Sequence, residues 1–134
     1  MPSDTATTAA RVLIIDDDAS VTDTFSRILR LEGYEVWAAW SAVQGLSLAQ
    51  THRPHAVILD LRMPLTNGLQ FLRAIRAIPG LTNTPVAIVT GDYYQDEAQA
   101  VEIQALGAEL RYKPLWLEEL VTLARDLLNP PVRD

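Results

Sequence analysis

Short apolar runs alternate along this chain with segments whose apolar residues recur at helical spacing, and that alternation leaves few folds open. Residues 12–15 are continuously apolar and rich in β-branched side chains, the mark of a strand buried on both faces. Val21, Phe25, Ile28 and Leu29 follow at helical spacing, with Gly33 ending that helix. Residues 34–39 read as a second strand. Ser41 then N-caps a helix through Ala49 that turns Ala42 and Leu46 inward. Pro54 breaks the chain before a third strand over residues 55–59. Leu69, Leu72 and Ile75 form the apolar face of the next helix, which stops before Pro79 and Gly80. Residues 85–89 are the fourth strand, and Ala98, Val101 and Ala105 mark a small-residue helix ending at Gly107. A more polar fifth strand over 109–112 suits a sheet edge. Leu117, Leu120, Val121, Ala124 and Leu127 make the last helix, closed by Asn129, Pro130 and Pro131.

Five strands alternating with five helices, joined by short loops, predict a doubly wound α/β sheet covered by helices on both faces. Residues 1–10 read as a disordered lead-in, residues 11–128 as one domain, and 129–134 as a short tail. A length of 134 residues, 49% of them hydrophobic, suits one domain with a full core. The chain has no cysteine, which removes disulfides, thiolate metal sites and cysteine nucleophiles. No membrane span and no targeting segment can be read in it, so a cytoplasmic location is expected. Seventeen acidic against eleven basic residues give a net charge of −6, the wrong sign for direct contact with nucleic acid.

In such sheets the ligand site lies beyond the carboxyl ends of the strands. Polar groups stand where the runs stop: Asp16 and Asp17 after the first, Asp60 after the third, Thr90 after the fourth and Lys113 after the fifth. Two adjacent carboxylates and a third at another strand end can offer oxygens to a hard divalent cation. Mg²⁺ prefers few carboxylates, retained waters and phosphate oxygens, so the set describes a metal site that expects a phosphoryl group. Asp60 can itself be the acceptor, because carboxylates form aspartyl phosphates. Thr90 and Lys113 would stabilise the phosphoryl oxygens by hydrogen bond and by charge. Each group has a plainer reading on its own: Asp18 or Ser20 as a helix cap, Asp60 and Thr90 as turn residues, Lys113 as a solvated charge. Their joint placement at successive strand ends is what those readings leave unexplained.

The segments 11–18, 57–64 with Asn67 and Gly68, 86–90, and 112–114 resemble the receiver domain of two-component response regulators, in order and spacing over residues 11 to about 128. The resemblance implies a flavodoxin-like sheet of strand order 2-1-3-4-5. It implies Asp60 as phosphoacceptor, charged by a sensor histidine kinase or a histidine phosphotransfer protein. Asp17 would bind Mg²⁺ (or Mn²⁺) directly, Asp16 mostly through water, and Arg62 would give its backbone carbonyl. Thr90 would turn inward to the phosphoryl group, Lys113 would pair with it, and the bond before Pro114 would be cis. Gly68 would permit a tight turn after the acceptor loop. Tyr93, Trp116 and the end of the fifth strand would lie on the face that receivers offer to partners, although an aromatic at the start of a helix, such as Trp116, can equally staple its entry.

The chain departs from the family at one position. Three residues before the lysine, receivers commonly carry Tyr or Phe; here that residue is Leu110, and the segment from Gly107 to Lys113 is one residue shorter than in many relatives. Tyr112, next to Lys113, faces the other way by strand alternation. Output would then run through the backbone after Thr90 or through another surface. Arg62 and Asp92, each two residues past a site group, are expected to pair across the mouth and shield the acyl phosphate from water. His52 and His55 fall at the opposite end of the sheet and read as surface or strand-start residues.

The sequence thus predicts a stand-alone, Mg²⁺-dependent phosphorylation switch on Asp60. It would act on a downstream protein target without membrane or nucleic-acid contact, and phosphorylation-dependent dimerisation is compatible with it. It would catalyse only its own phosphoryl uptake and slow autodephosphorylation. One alternative is the receiver part of a longer regulator with a DNA-binding or enzymatic output domain. An aspartate-nucleophile phosphohydrolase fits less well, because Arg62 stands where such enzymes usually place a second aspartate. A flavin carrier would need a phosphate cradle richer in Ser, Thr and Gly than these loops.

Overall fold

The computed structural model of the protein describes residues 9–61, 65–91 and 97–129, and for residues 60, 61 and 65–67 the backbone alone. The elements alternate without exception: β1 (Arg11–Ile15), α1 (Ala19–Leu31), β2 (Glu35–Ala39), α2 (Ala42–His52), β3 (Ala56–Leu61), α3 (Leu65–Arg76), β4 (Val86–Thr90), α4 (Glu97–Ala105), β5 (Ala108–Tyr112) and α5 (Leu117–Leu128). All strand pairs are parallel and the sheet order is β2-β1-β3-β4-β5. This is the doubly wound five-stranded fold that the alternation predicted.

Strand alternation splits the core in two. Leu13, Ile15, Val57, Leu59, Val86 and Ile88 face α2, α3 and α4, where they meet Ala49, Leu69, Phe71, Leu72, Ile75 and Ile103. Val12, Ile14, Ile58, Ala87 and Val89 face α1 and α5, where they meet Leu29, Leu120, Leu123, Ala124 and Leu127. The central strands are buried on both faces, so their polar residues are confined to the ends.

Local signals end the helices where they should. The Asp18 side chain accepts from Ser20 N–H at 2.9 Å and caps α1, and the Ser41 hydroxyl accepts from Gln44 N–H at 3.1 Å and caps α2. At the end of α1, Gly33 adopts φ +97°, with Gly33 N–H on Arg30 O and Tyr34 N–H on Leu29 O, a Schellman closure.

Several sequence expectations need correction. Helix α2 runs three residues beyond Ala49, to His52, because nothing between there and Pro54 forbids it; Arg53 closes it in the left-handed conformation. On α1 the buried residues include Thr22 and Ser26 with Leu29, while Phe25 and Ile28 are half-buried. On α4 the expected inward set of Ala98, Val101 and Ala105 faces solvent, and Ile103 is the buried residue. Both sets have helical spacing; burying the larger Ile103 with Leu106 beside it returns more than burying two alanines and a valine. On α5, Leu117 is exposed and Leu123 is buried in its stead. Gly68 lies inside α3 and is buried, so it forms no turn; α3 already begins at Leu65.

Helix α4, with Ile103 as its buried residue, is held from outside by arginines of α3. Arg73 forms a two-pronged bond to Glu102, with Nε–Oε2 at 2.5 Å and Nη2–Oε1 at 2.6 Å. Arg76 reaches Leu106 O and Thr84 O, both at 2.7 Å. The Arg73 hydrogen bond holds the Glu102 carboxyl below the ordinary carboxylate value. The pair's contribution is therefore present above the unfolded-state value and lost as pH falls through the lower folded one. Both groups are solvated, so its weight is small. An NMR titration should show Glu102 protonating below an ordinary glutamate, and returning to the ordinary value in Arg73→Gln.

Gly45 lets α2 lie directly on the sheet. A Cβ there would overlap Ile15 Cδ1 and stand 3.0 Å from Ile15 Cγ1 and 3.4 Å from Phe71 Cε1. Alanine favours a helix interior by roughly 1 kcal/mol over glycine, but overpacking a filled core costs about 1–3 kcal/mol. Gly45→Ala should therefore lower the urea midpoint without changing the slope of the transition.

Candidate functional site at the carboxyl edge of the sheet

Register brings the strand ends together. Ile15 pairs with Leu59, so Asp16 and Asp60 each follow one step beyond adjacent partners. Asp60 in turn pairs with Val89, Leu61 with Thr90, and Thr90 with Tyr112. The backbone positions of Asp16, Asp60, Thr90 and Lys113 therefore line a single edge, a juxtaposition that parallel pairing makes unavoidable.

The acidic run divides on folding. Asp16 is 1% exposed, its N–H donating to Ala39 O at 3.0 Å and its Oδ1 accepting from Asp18 N–H at 2.9 Å. Asp17 is exposed beside it, and Asp18 is spent on capping α1. A carboxylate buried to this degree is costly unless a cation or hydrogen bonds compensate it. A buried oxygen donor, an exposed one next to it and the Asp60 position one strand away suit a hard divalent cation with room for water. Mg²⁺ therefore fits the donor set.

Across the edge, Thr90 is buried and its carbonyl accepts from Lys113 N–H at 2.9 Å. The Lys113 side chain runs back over Gly91: its Cδ lies 3.9 Å from where a Cβ on Gly91 would stand. An alanine Cβ at 91 would touch that stem at ordinary van der Waals distance. Sequence reading did not single out Gly91; a glycine directly after a strand-end threonine was the available signal. The Lys113–Pro114 bond is cis.

Tyr112 and Leu110 are two residues apart and so share a face. Leu110 pairs with Ile88 and is half-buried on the core beneath α4, whereas Tyr112 pairs with Thr90 and is 41% exposed. The aromatic thus stands beside Thr90 on Leu110's own face. Trp116 is 67% exposed, its backbone N–H bonded to Glu119 Oε1 at 2.9 Å at the start of α5; Leu117 beside it in sequence is also exposed. Trp40 lies across the other flank, its indole N–H reaching Thr22 Oγ1 at 3.2 Å. Trp37 stacks on His52 with ring centroids 4.4 Å apart, away from this edge. The expected Arg62–Asp92 pair, Tyr93 and the side chain of Asp60 lie outside the described residues.

Fold and edge together define a doubly wound α/β domain with oxygen-bearing residues gathered at its strand ends. The chain belongs to the response regulator receiver domain family, whose model matches residues 12–125. It is 35% identical over 126 residues to the transcriptional regulatory protein PrrA of Mycobacterium tuberculosis, covering 94% of this chain and 53% of that one. It is 35% identical over 119 residues to the response regulator MprA of a Mycobacterium species, covering 89% and 50%. The chain thus spans about half the length of these relatives. Among solved structures, the chemotaxis response regulator CheY4 of Vibrio cholerae superposes with a TM-score of 0.79 at 31% identity, over 90% of this chain and all of that one. Receiver domains are signalling switches of two-component systems that generally bind Mg²⁺ at an acidic pocket, and response regulators work with histidine kinases and downstream targets. Among the described residues no helix is long and apolar enough to cross a membrane.

The buried carboxylate carries a thermodynamic signature. Asp16→Asn keeps an oxygen for Asp18 N–H but removes a buried charge beside Asp17. Mg²⁺ should stabilise it less than the parent, as read by urea titration with and without the metal.

Proposed function

We propose that the chain is a phosphorylation switch whose acceptor is Asp60 and whose output is contact with a protein partner. The observation that carries this reading is the register at the carboxyl edge, which sets the Asp60 position between buried Asp16 and buried Thr90, with the Lys113 stem over Gly91. Asp16, Asp17, Asp60 and the Arg62 carbonyl would hold Mg²⁺, which supplies charge neutralisation to the phosphoryl oxygens.

An Asp60 oxygen attacks the phosphorus of a phosphohistidine on a sensor kinase or phosphotransfer protein. The P–N bond breaks, the imidazole leaves, and an acyl phosphate forms. The Thr90 hydroxyl donates to one phosphoryl oxygen and the Lys113 ammonium pairs with another, the groups such a transfer needs once its partners are positioned. Water attack on phosphorus later returns the Asp60 carboxylate and inorganic phosphate. An Arg62–Asp92 pair across the mouth would slow that attack. Drawing Thr90 toward the phosphoryl group acts on α4, which follows β4 and is lightly buried, and on Tyr112 alongside. The exposed Tyr112, Trp116 and Leu117 are the surface on which that change is read.

A second reading is favoured by one observation: PrrA and MprA are about twice the matched length. On that reading this chain is the receiver part of a regulator whose further domain binds DNA, as the name of the first suggests. The chemistry at Asp60 is the same in both.

Incubation with Mg²⁺ and a small phosphodonor such as acetyl phosphate, followed by intact mass measurement, tests the reading. One added phosphoryl group is expected on the parent and none on Asp60→Asn. Label retained on Asp60→Asn would move the acceptor elsewhere. Thr90→Ala and Lys113→Ala should still fold, and Lys113→Ala should slow uptake by roughly a hundredfold, the scale of removing one charge-stabilising donor.

A further inference from the structure

The amino-terminal end of the sheet, opposite the acidic edge, carries an open cleft of about 590 Å³ between the end of α2 and the loop joining α3 to β4. Arg11, Arg53, Pro54, His55 and residues 80–84 line it. In a chain of net charge −6, no carboxylate among the described residues lines this cleft, and the charged side chains among its described lining are two guanidiniums.

Both guanidiniums are fixed without being neutralised by a described residue. Arg11 donates from Nε to His52 O at 2.9 Å and from Nη2 to Arg53 O at 2.9 Å. Arg53 donates from Nη1 to Pro79 O at 2.7 Å. Neither forms an ion pair with a described carboxylate, unlike Arg73 with Glu102 and Arg111 with Glu109. Carbonyl partners orient a guanidinium but leave its charge intact, and each still has unused N–H donors. Arg11 also covers the last carbonyls of α2, which would otherwise repel an anion.

Two further details point the same way. His55 Nδ1 accepts from Arg11 N–H at 2.9 Å, so the neutral ring carries its proton on Nε2, a third donor type on a lining residue. Arg53 has φ +51°, the one non-glycine residue with positive φ among those described, at the helix-closing position where glycine is the common choice. Its guanidinium rests on Gly80, where a Cβ would stand 3.0 Å from Nη1. A side chain kept at a backbone position that glycine would occupy more cheaply invites a functional reason.

We propose that this cleft binds a multivalent anion of the phosphate class. The planar donor forks of Arg11 and Arg53 would grip its oxygens, with His55 Nε2–H and the polar groups of Thr82 and Asn83 completing the rim. Its volume lies within the roughly 300–1,000 Å³ of small-ligand sites and exceeds what one phosphate fills, so a diphosphate group is the fitting size. This site is separate from Asp60 and does not rest on the phosphoacceptor reading.

The test is a ¹H–¹⁵N NMR titration of the full chain with sodium pyrophosphate, in EDTA and against sodium chloride of equal ionic strength. Saturable shifts are expected at His55 and residues 80–84. Arg53→Gly relieves the backbone and removes the guanidinium; it should keep the fold and bind roughly tenfold more weakly, the scale of one charge-assisted contact. Asn83→Asp, an exposed change that adds a carboxylate at the rim, should weaken binding several-fold. Shifts matching the chloride control, saturable shifts centred on residues 16–18 and 90, or undiminished affinity in both variants would each overturn the proposal.

Discussion

Burying three parallel strands on both faces is the constraint from which the rest of the molecule follows. Strands β1, β3 and β4 meet α1 and α5 on one side and α2, α3 and α4 on the other, so no polar side chain can stand along their length without a partner. Polar residues are driven to the strand ends, and parallel pairing gathers all the carboxyl ends on one edge. The site is a by-product of how the core is made. The backbone positions of Asp16, Asp60, Thr90 and Lys113 line one edge because Ile15, Leu59, Val89 and Tyr112 are locked in register.

The two edges of the sheet are electrostatic opposites, for different reasons. At the carboxyl edge Asp16, Asp17 and the Asp60 position fall together, and the cation of the proposed function would relieve them. At the other edge the helices α1 to α4 end, exposing carbonyls, and arginines collect to satisfy them: Arg11 at the end of α2, Arg53 on the loop after α3, Arg76 at the end of α4. An acidic chain thereby keeps a localised positive surface. Screening would erase a diffuse charge, but guanidiniums pinned by carbonyls present theirs in fixed geometry.

Between the edges, α4 is the element with most freedom to respond. It buries Ile103 and exposes Ala98, Val101 and Ala105, and its ties to α3 include a solvated ion pair and an arginine-to-carbonyl bond. Local stability follows buried apolar contact, so an element of this kind yields at lower cost than α3 or α5. It follows β4 directly after Thr90. Tyr112 sits laterally beside that threonine, while Leu110 is held in the core beneath α4.

The fold was legible because each level of the sequence agreed: apolar runs, helical spacings, the caps at Asp18 and Ser41, and the glycine closing α1. The groups brought to the edge were legible too, since residue type and position at a strand end suffice to place a carboxylate, a hydroxyl and an ammonium there. Spacing alone misassigned α4, where two sets of residues share one period and only the volume available against the sheet picks Ile103. It misjudged Gly68, whose place in a turn or a helix depends on where α3 begins. It was silent on Gly45, Gly91 and the arginine–carbonyl ties, because these are contacts between residues far apart in the chain. The sequence by itself determined the elements, their order and the donors carried to the edge, all set by local pattern. The tertiary structure decided which carboxylate is buried, which aromatic stands beside Thr90 and where positive charge survives, because strand register and side-chain volume are settled only when distant segments meet.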